Sequence, residues 1–154
     1  MIWFGITDPL RGFILKKHGA AISGQISWVY TQDLDSTAYF YAEVLGLKCS
    51  RDEGTARIFA TGDNAWIGVC QAFADRVVEP KGGMISIVSD DVDAWYHRLV
   101  DIGLSIDQPP HRLEQFGIYT FLVKDPNGYL IEFQQFVDDT AVDIAGSGGD
   151  GFPE

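Results

Sequence analysis

The sequence predicts an α+β fold built from two βαβββ modules. Three observations lead there: an internal repeat, an amphipathic helical segment in each copy, and paired β runs with turn signals after each helix. Residues 26–47 read ISWVYTQDLDSTAYFYAEVLGL, and residues 84–104 read MISIVSDDVDAWYHRLVDIGL. Asp33-Leu34-Asp35 recurs as Asp91-Val92-Asp93 at an offset of 58, and Gly46-Leu47 recurs as Gly103-Leu104 at 57. The second helical segment is therefore one residue shorter.

Each copy opens with an apolar run of strand length. Leu34, Ala38, Tyr41 and Leu45 then share one helical face, as do Val92, Trp95, Leu99 and Ile102. Asp35 and Asp93, or the residue after each, are expected to cap these helices. Gly46 and Gly103 suit left-handed C-terminal caps. Ala56–Thr61 and Ala65–Gln71 read as strands around the Gly62-Asp63-Asn64 turn. In the second half, Ile118–Val123 and Tyr129–Phe136 flank Lys124-Asp125-Pro126-Asn127-Gly128, where Pro and Gly favour a tight turn. One further strand per module fits near Lys48–Asp52 and Ser105–Pro109.

This divides the chain into an extension (1–25), a single domain (26–137) and a tail (138–154). The modules are 26–79 and 84–137, joined through the Pro80-Lys81-Gly82-Gly83 loop. The tail is acidic and Gly-rich and is expected to be flexible. The apolar N-terminal residues could dock on the core, cover a sheet edge or pack on a second subunit.

Composition narrows the function classes. Hydrophobic residues make up 46% and charged residues 21% of the 154, which is globular rather than disordered. A net charge of −11 argues against nucleic-acid and anionic-membrane partners, which need basic patches. No apolar run is long enough to span a bilayer. Cys49 and Cys70 do not make a disulfide scaffold, and free thiols fit a cytoplasmic protein.

With Phe40-Tyr41, Val44-Leu45-Gly46-Leu47 and Asp125-Pro126-Asn127-Gly128-Tyr129-Leu130-Ile131-Glu132-Phe133 in this order, the chain resembles the vicinal oxygen chelate superfamily. That superfamily includes glyoxalase I, bleomycin-resistance proteins and extradiol dioxygenases. The resemblance covers residues 26–136 and implies a mixed sheet curled into a cup around a small ligand. Metal-using members hold a divalent ion there, on the first strand of each module and the last strand of one or both. Carried over by position, those sites are Ile26, Gly68, Met84 and Glu132. Only Glu132 is a competent hard ligand. His18, His97 and His111 fall elsewhere, so no metal and no cofactor are expected.

Strand alternation then gives the candidate lining. Trp28 and Tyr30 share a face with Ile26, Trp66 with Gly68, Ser86 with Met84, and Gln134 with Glu132. Tyr119, with Phe121, is the choice for the inward face of its strand. Glu132 in an apolar cup would need a partner, a proton or a cationic ligand. His111, Glu114 and Gln115 could close the mouth from a loop.

The reading favoured on these grounds is a metal-independent homodimeric protein that binds or sequesters an aromatic or cationic compound. The alternative is an enzyme of the same fold, of lyase, isomerase or dioxygenase type. It would use Glu132 as base or residual metal ligand and Tyr119 or Tyr30 as acid. An interaction module built on residues 1–25 is a further possibility.

Overall fold

The computed structural model describes residues 22–137. The extension up to residue 21 and the tail from residue 138 lie outside the described residues.

The first module contains β1 (Gln25–Thr31), α1 (Leu34–Tyr39), β2 (Cys49–Asp52), β3 (Ala56–Gly62) and β4 (Ala65–Gln71). The second contains β5 (Met84–Val88), α2 (Val92–Asp101), β6 (His111–Leu113), β7 (Ile118–Lys124) and β8 (Leu130–Phe136). Both sheets have the same plan. The orders are β1-β4-β3-β2 and β5-β8-β7-β6. The outer pairs β1–β4 and β5–β8 run parallel and the remaining pairs antiparallel. The predicted α+β class and the βαβββ repeat are thus observed. The strands form two separate four-stranded sheets, however, not one continuous curled sheet.

The helices explain the offset between copies. After α1, the chain widens into a π-helical turn over Phe40–Val44, with the Leu45 amide donating to the Phe40 carbonyl at 2.9 Å. The extra residue of the first copy is accommodated there without turning the apolar face away from the sheet. α2 has no such turn and stays α-helical for 10 residues.

The caps come two residues earlier than expected. Asp33 Oδ1 accepts from the Ser36 amide at 3.0 Å, and Asp91 Oδ1 from the Ala94 amide at 2.9 Å. Asp35 and Asp93 sit in the first turns, where a carboxylate meets the positive helix end. Gly46 and Gly103 take φ of 68° and 88°, as the left-handed caps require. The second strand of module two is β6, beyond Pro109-Pro110 rather than at Ser105–Pro109, because prolines cannot donate to a ladder.

One hydrophobic core lies between the helices and one face of each sheet. Val29, Phe59, Ile67 and Val69 meet Ala38, Phe40, Tyr41 and Leu45 in the first module. In the second, Phe121 and Phe133 stack at 5.2 Å, and Trp95 stacks on Phe133 at 4.6 Å. Burying such side chains stabilises the fold by about 1.5–3 kcal/mol each.

Specific contacts lock the modules together. Tyr41 Oη donates to buried Asp125 at 3.2 Å. Asp125 also receives the Asn127 and Tyr129 amides at 2.8 and 2.9 Å. Arg98 reaches from α2 to the Leu45 carbonyl at 2.8 Å, with its guanidinium 5.3 Å from the Trp95 ring centroid. Among the described residues, no helix is long and apolar enough to cross a membrane.

Candidate functional site

The helix-covered faces are filled, so the opposite, open faces are where side chains remain available. Alternation along β1 puts Ile26, Trp28 and Tyr30 there, opposite Val29 in the core. On β5 it is Met84, Ser86 and Val88, and on β8 Leu130, Glu132 and Gln134.

In module one, Trp28 pairs in register with Gly68. Its indole lies flat on that glycine, and any Cβ at residue 68 would run into the ring. Gly68 is thus required by close approach. Trp66 lies over Gly24 in the same manner. Ile58, the β3 partner of Gly68, completes the row.

The equivalent row of module two is polar. Ser86 pairs with Glu132, and Leu122 with Glu132 across the hairpin. Glu132 is 6% exposed. Ser86 Oγ donates to Oε2, and Thr120 Oγ1 stands 3.1 Å from Oε1. The same Thr120 hydroxyl lies 3.0 Å from the Phe133 carbonyl, so its one proton serves one acceptor at a time. Among the described residues, no cation pairs with Glu132. Hydroxyl donors therefore take the place of the charged partner that burial calls for.

Tyr119 is not part of this face. Phe121 pairs with Phe133 in the core, so Tyr119 points with it towards α2. There its Oη donates to Asp93 Oδ1 at 2.8 Å. This bond, with some desolvation, raises the phenol above the ordinary tyrosine value. Thr120 and Leu122 occupy the open face instead. Counting back from the Asp125–Gly128 turn gives this parity, a signal present in the sequence. Tyr41, not singled out as functional, is also held protonated, by burial and then by Asp125.

Trp28 and Met84 do come together. They line a cleft of about 340 Å3 at the seam of the two sheets, with Tyr129, Leu130, Glu79 and Lys81. Their relative exposures are 42% and 48%. Tyr129 closes one wall, its Oη accepting from the Glu79 amide at 3.0 Å and the Tyr30 amide at 3.4 Å. A second cleft, about 380 Å3, lies under the Ser105–Gln108 segment against Leu122, Lys124, Leu130 and His111. His111 belongs to β6 rather than a loop, and Glu114 and Gln115 to a short 3-10 turn, Glu114–Phe116.

The four positions where a metal would be held supply one carboxylate, already bonded to two hydroxyls. Ile26 and Gly68 offer no donor, Met84 offers a soft thioether, and the Trp28 ring fills the space over Gly68. This donor set does not fit a hard divalent cation. Among the described residues, no three His, Cys, Asp or Glu side chains converge elsewhere to hold one.

Several solved structures share the architecture. Lactoylglutathione lyase from Agrobacterium tumefaciens is 23% identical, with a TM-score of 0.60 over 72% of this chain and 91% of that one. A glyoxalase/bleomycin resistance protein/dioxygenase from Nocardioides is 17% identical, with a TM-score of 0.65 over 84% of this chain and 91% of that one. TioX from Micromonospora sp. ML1 is 22% identical, with a TM-score of 0.60 over 73% and 98% respectively. At these identities the likeness shows the fold alone. No curated protein matches the sequence. The family model for the Glyoxalase/Bleomycin resistance protein/Dioxygenase superfamily, however, matches residues 22–133, and with the paired βαβββ modules this places the chain in that superfamily.

Proposed function

We propose that the chain is a metal-independent small-molecule-binding protein that takes a flat aromatic cation into the seam cleft. The observation that carries this reading is the placement of Trp28. One face of its indole is backed by Gly68 and the other side of the residue remains open beside Met84. A ring held in this way offers a stacking surface at little entropic cost, and its π face attracts cations. Glu79 and Lys81 both stand in the lining and offset one another, so it is the chain's net charge of −11 that favours positive ligands. Glu132, with 6% exposure and two hydroxyl donors, is better suited to order the open face of its own sheet than to meet a substrate as base. A cytoplasmic homodimer belongs to the same proposal.

The test is thermal unfolding with EDTA present, against matched panels of flat aromatic cations and neutral aromatics. A cation at one hundred times its Kd should stabilise the fold by about 2.7 kcal/mol. The shift should vanish in Trp28→Ala. A panel that leaves the melting temperature unchanged, or that acts only when a divalent metal is added, overturns the reading.

A further inference from the structure

We propose that the cleft under Ser105–Gln108 is a second small-molecule subsite, which selects an uncharged ligand bearing an O–H or N–H donor through His111. It goes beyond the seam site. The two clefts are neighbours, since Leu130 lines both, but no other side chain of the lining is shared.

Three features give the subsite its chemistry. Leu122 and Leu130 supply the apolar floor, on the open face beside Glu132. The charged groups in the lining, Lys124 and Asp107, stand 3.5 Å apart and answer one another, which leaves no net charge to recruit an ion. The third is the tautomer of His111. Its Nδ1 lies 3.1 Å from the Pro109 carbonyl, which can only accept, so Nδ1 carries the hydrogen. In the neutral ring, Nε2 is then the acceptor, and among the described residues no donor engages it. The ring itself is set on the open face by its register with Thr120.

A cleft of about 380 Å3 is within the usual range for small-molecule sites. The combination of apolar floor, internally neutralised charges and one fixed acceptor suits a single-ring phenol or a comparable neutral donor. The occupant's hydroxyl would donate to His111 Nε2 while its ring lies on Leu122 and Leu130.

The probes are 4-ethylphenol and 4-ethylanisole, which share shape but differ in the donor. Binding is followed by leucine methyl and histidine ring-nitrogen NMR of the full chain. The phenol should bind about tenfold more tightly than the ether, the difference one neutral hydrogen bond makes. It should shift the Leu122 methyls and His111 Nε2, and leave the Trp28 indole NMR signal unchanged. In His111→Phe, which keeps ring bulk without the acceptor, the two probes should bind alike. Equal affinities in the native chain, a ring nitrogen spectrum with hydrogen on Nε2, or phenol shifts confined to Trp28 each overturn the proposal. The native-chain comparison stands even where the variant fails to fold. Loss of the aromatic-cation response at Trp28 would instead count against the seam site alone.

Discussion

The two modules share strand order, helix position and an aspartate cap, yet the same row of each sheet is used in opposite ways. In the first, Trp28 lies on Gly68 beside Ile58. In the second, Ser86 and Thr120 hold the carboxylate of Glu132. A duplicated scaffold fixes where side chains go, not what they are. One half has become an aromatic platform and the other a buried polar knot.

The strongest way to break the comparison is to write the second row into the first. Gly68→Glu should destabilise the fold by about 3 kcal/mol, because the new side chain must displace the Trp28 ring and bury a charge without hydroxyl partners. Urea unfolding of this variant, and of the pair with Trp28→Ser, reads the effect. Partial recovery in the pair would place the cost in this row, in the indole clash together with the missing hydroxyl, and none would place it elsewhere.

A smaller effect separates the modules by pH. Among the described residues, the tyrosine buried against a carboxylate is Tyr41 of the first module, held by Asp125 of the second. Tyr41 stays protonated when folded, while in the unfolded chain it ionises near its ordinary value. The folded state then binds the extra proton, so stability is intact below about pH 10 and falls by about 1.4 kcal/mol per pH unit above it. Tyr119, whose bond to Asp93 is exposed, adds much less. Tyr41→Phe should flatten the alkaline limb of a stability–pH curve and cost about 1 kcal/mol at neutral pH, whereas Tyr119→Phe should leave that limb nearly as steep.

The smallest contrast sharpens the helix ends. Gly46→Ala and Gly103→Ala both force a side chain into positive φ, at about 1 kcal/mol each. At Gly103 the added methyl meets open space, while at Gly46 it meets the Arg98 guanidinium that bonds Leu45. Denaturation midpoints should therefore fall further for Gly46→Ala. Equal losses would mean that Arg98 moves aside freely.

Much of this was legible in the sequence because the repeat is physical as well as textual. Apolar period, glycine caps and the Asp125–Gly128 turn all agree on one arrangement, and each strand lies within a few residues of where they put it. What the repeat could not reveal was how the extra residue is absorbed. The offset change from 58 to 57 says that one residue is surplus, while a π-turn over Phe40–Val44 rather than a longer loop is a matter of packing. The cap position is not legible, because Asp33 and Asp35, like Asp91 and Asp93, are chemically equivalent until the first turn is built. Tyr119 differs from its expected face by one position of parity, which inverts a strand. For the site, the identity of Glu132, Trp28 and Met84 was readable, but the ring on Gly68 and the hydroxyl donors to Glu132 depend on cross-strand register. His111 was visible as a residue, while its tautomer follows only from the position of the Pro109 carbonyl.

The seam has a consequence for solubility. β1 and β5 are both outermost strands in their sheets, and both line the seam cleft. An unpaired strand edge invites strands of other chains to add to it. Here both strands border one cleft, and the Tyr129 hydroxyl accepts the Tyr30 amide on β1 and the Glu79 amide just before the linker. Either module alone would expose its edge and become prone to aggregate, so the joined pair guards itself where its sheets fail to merge.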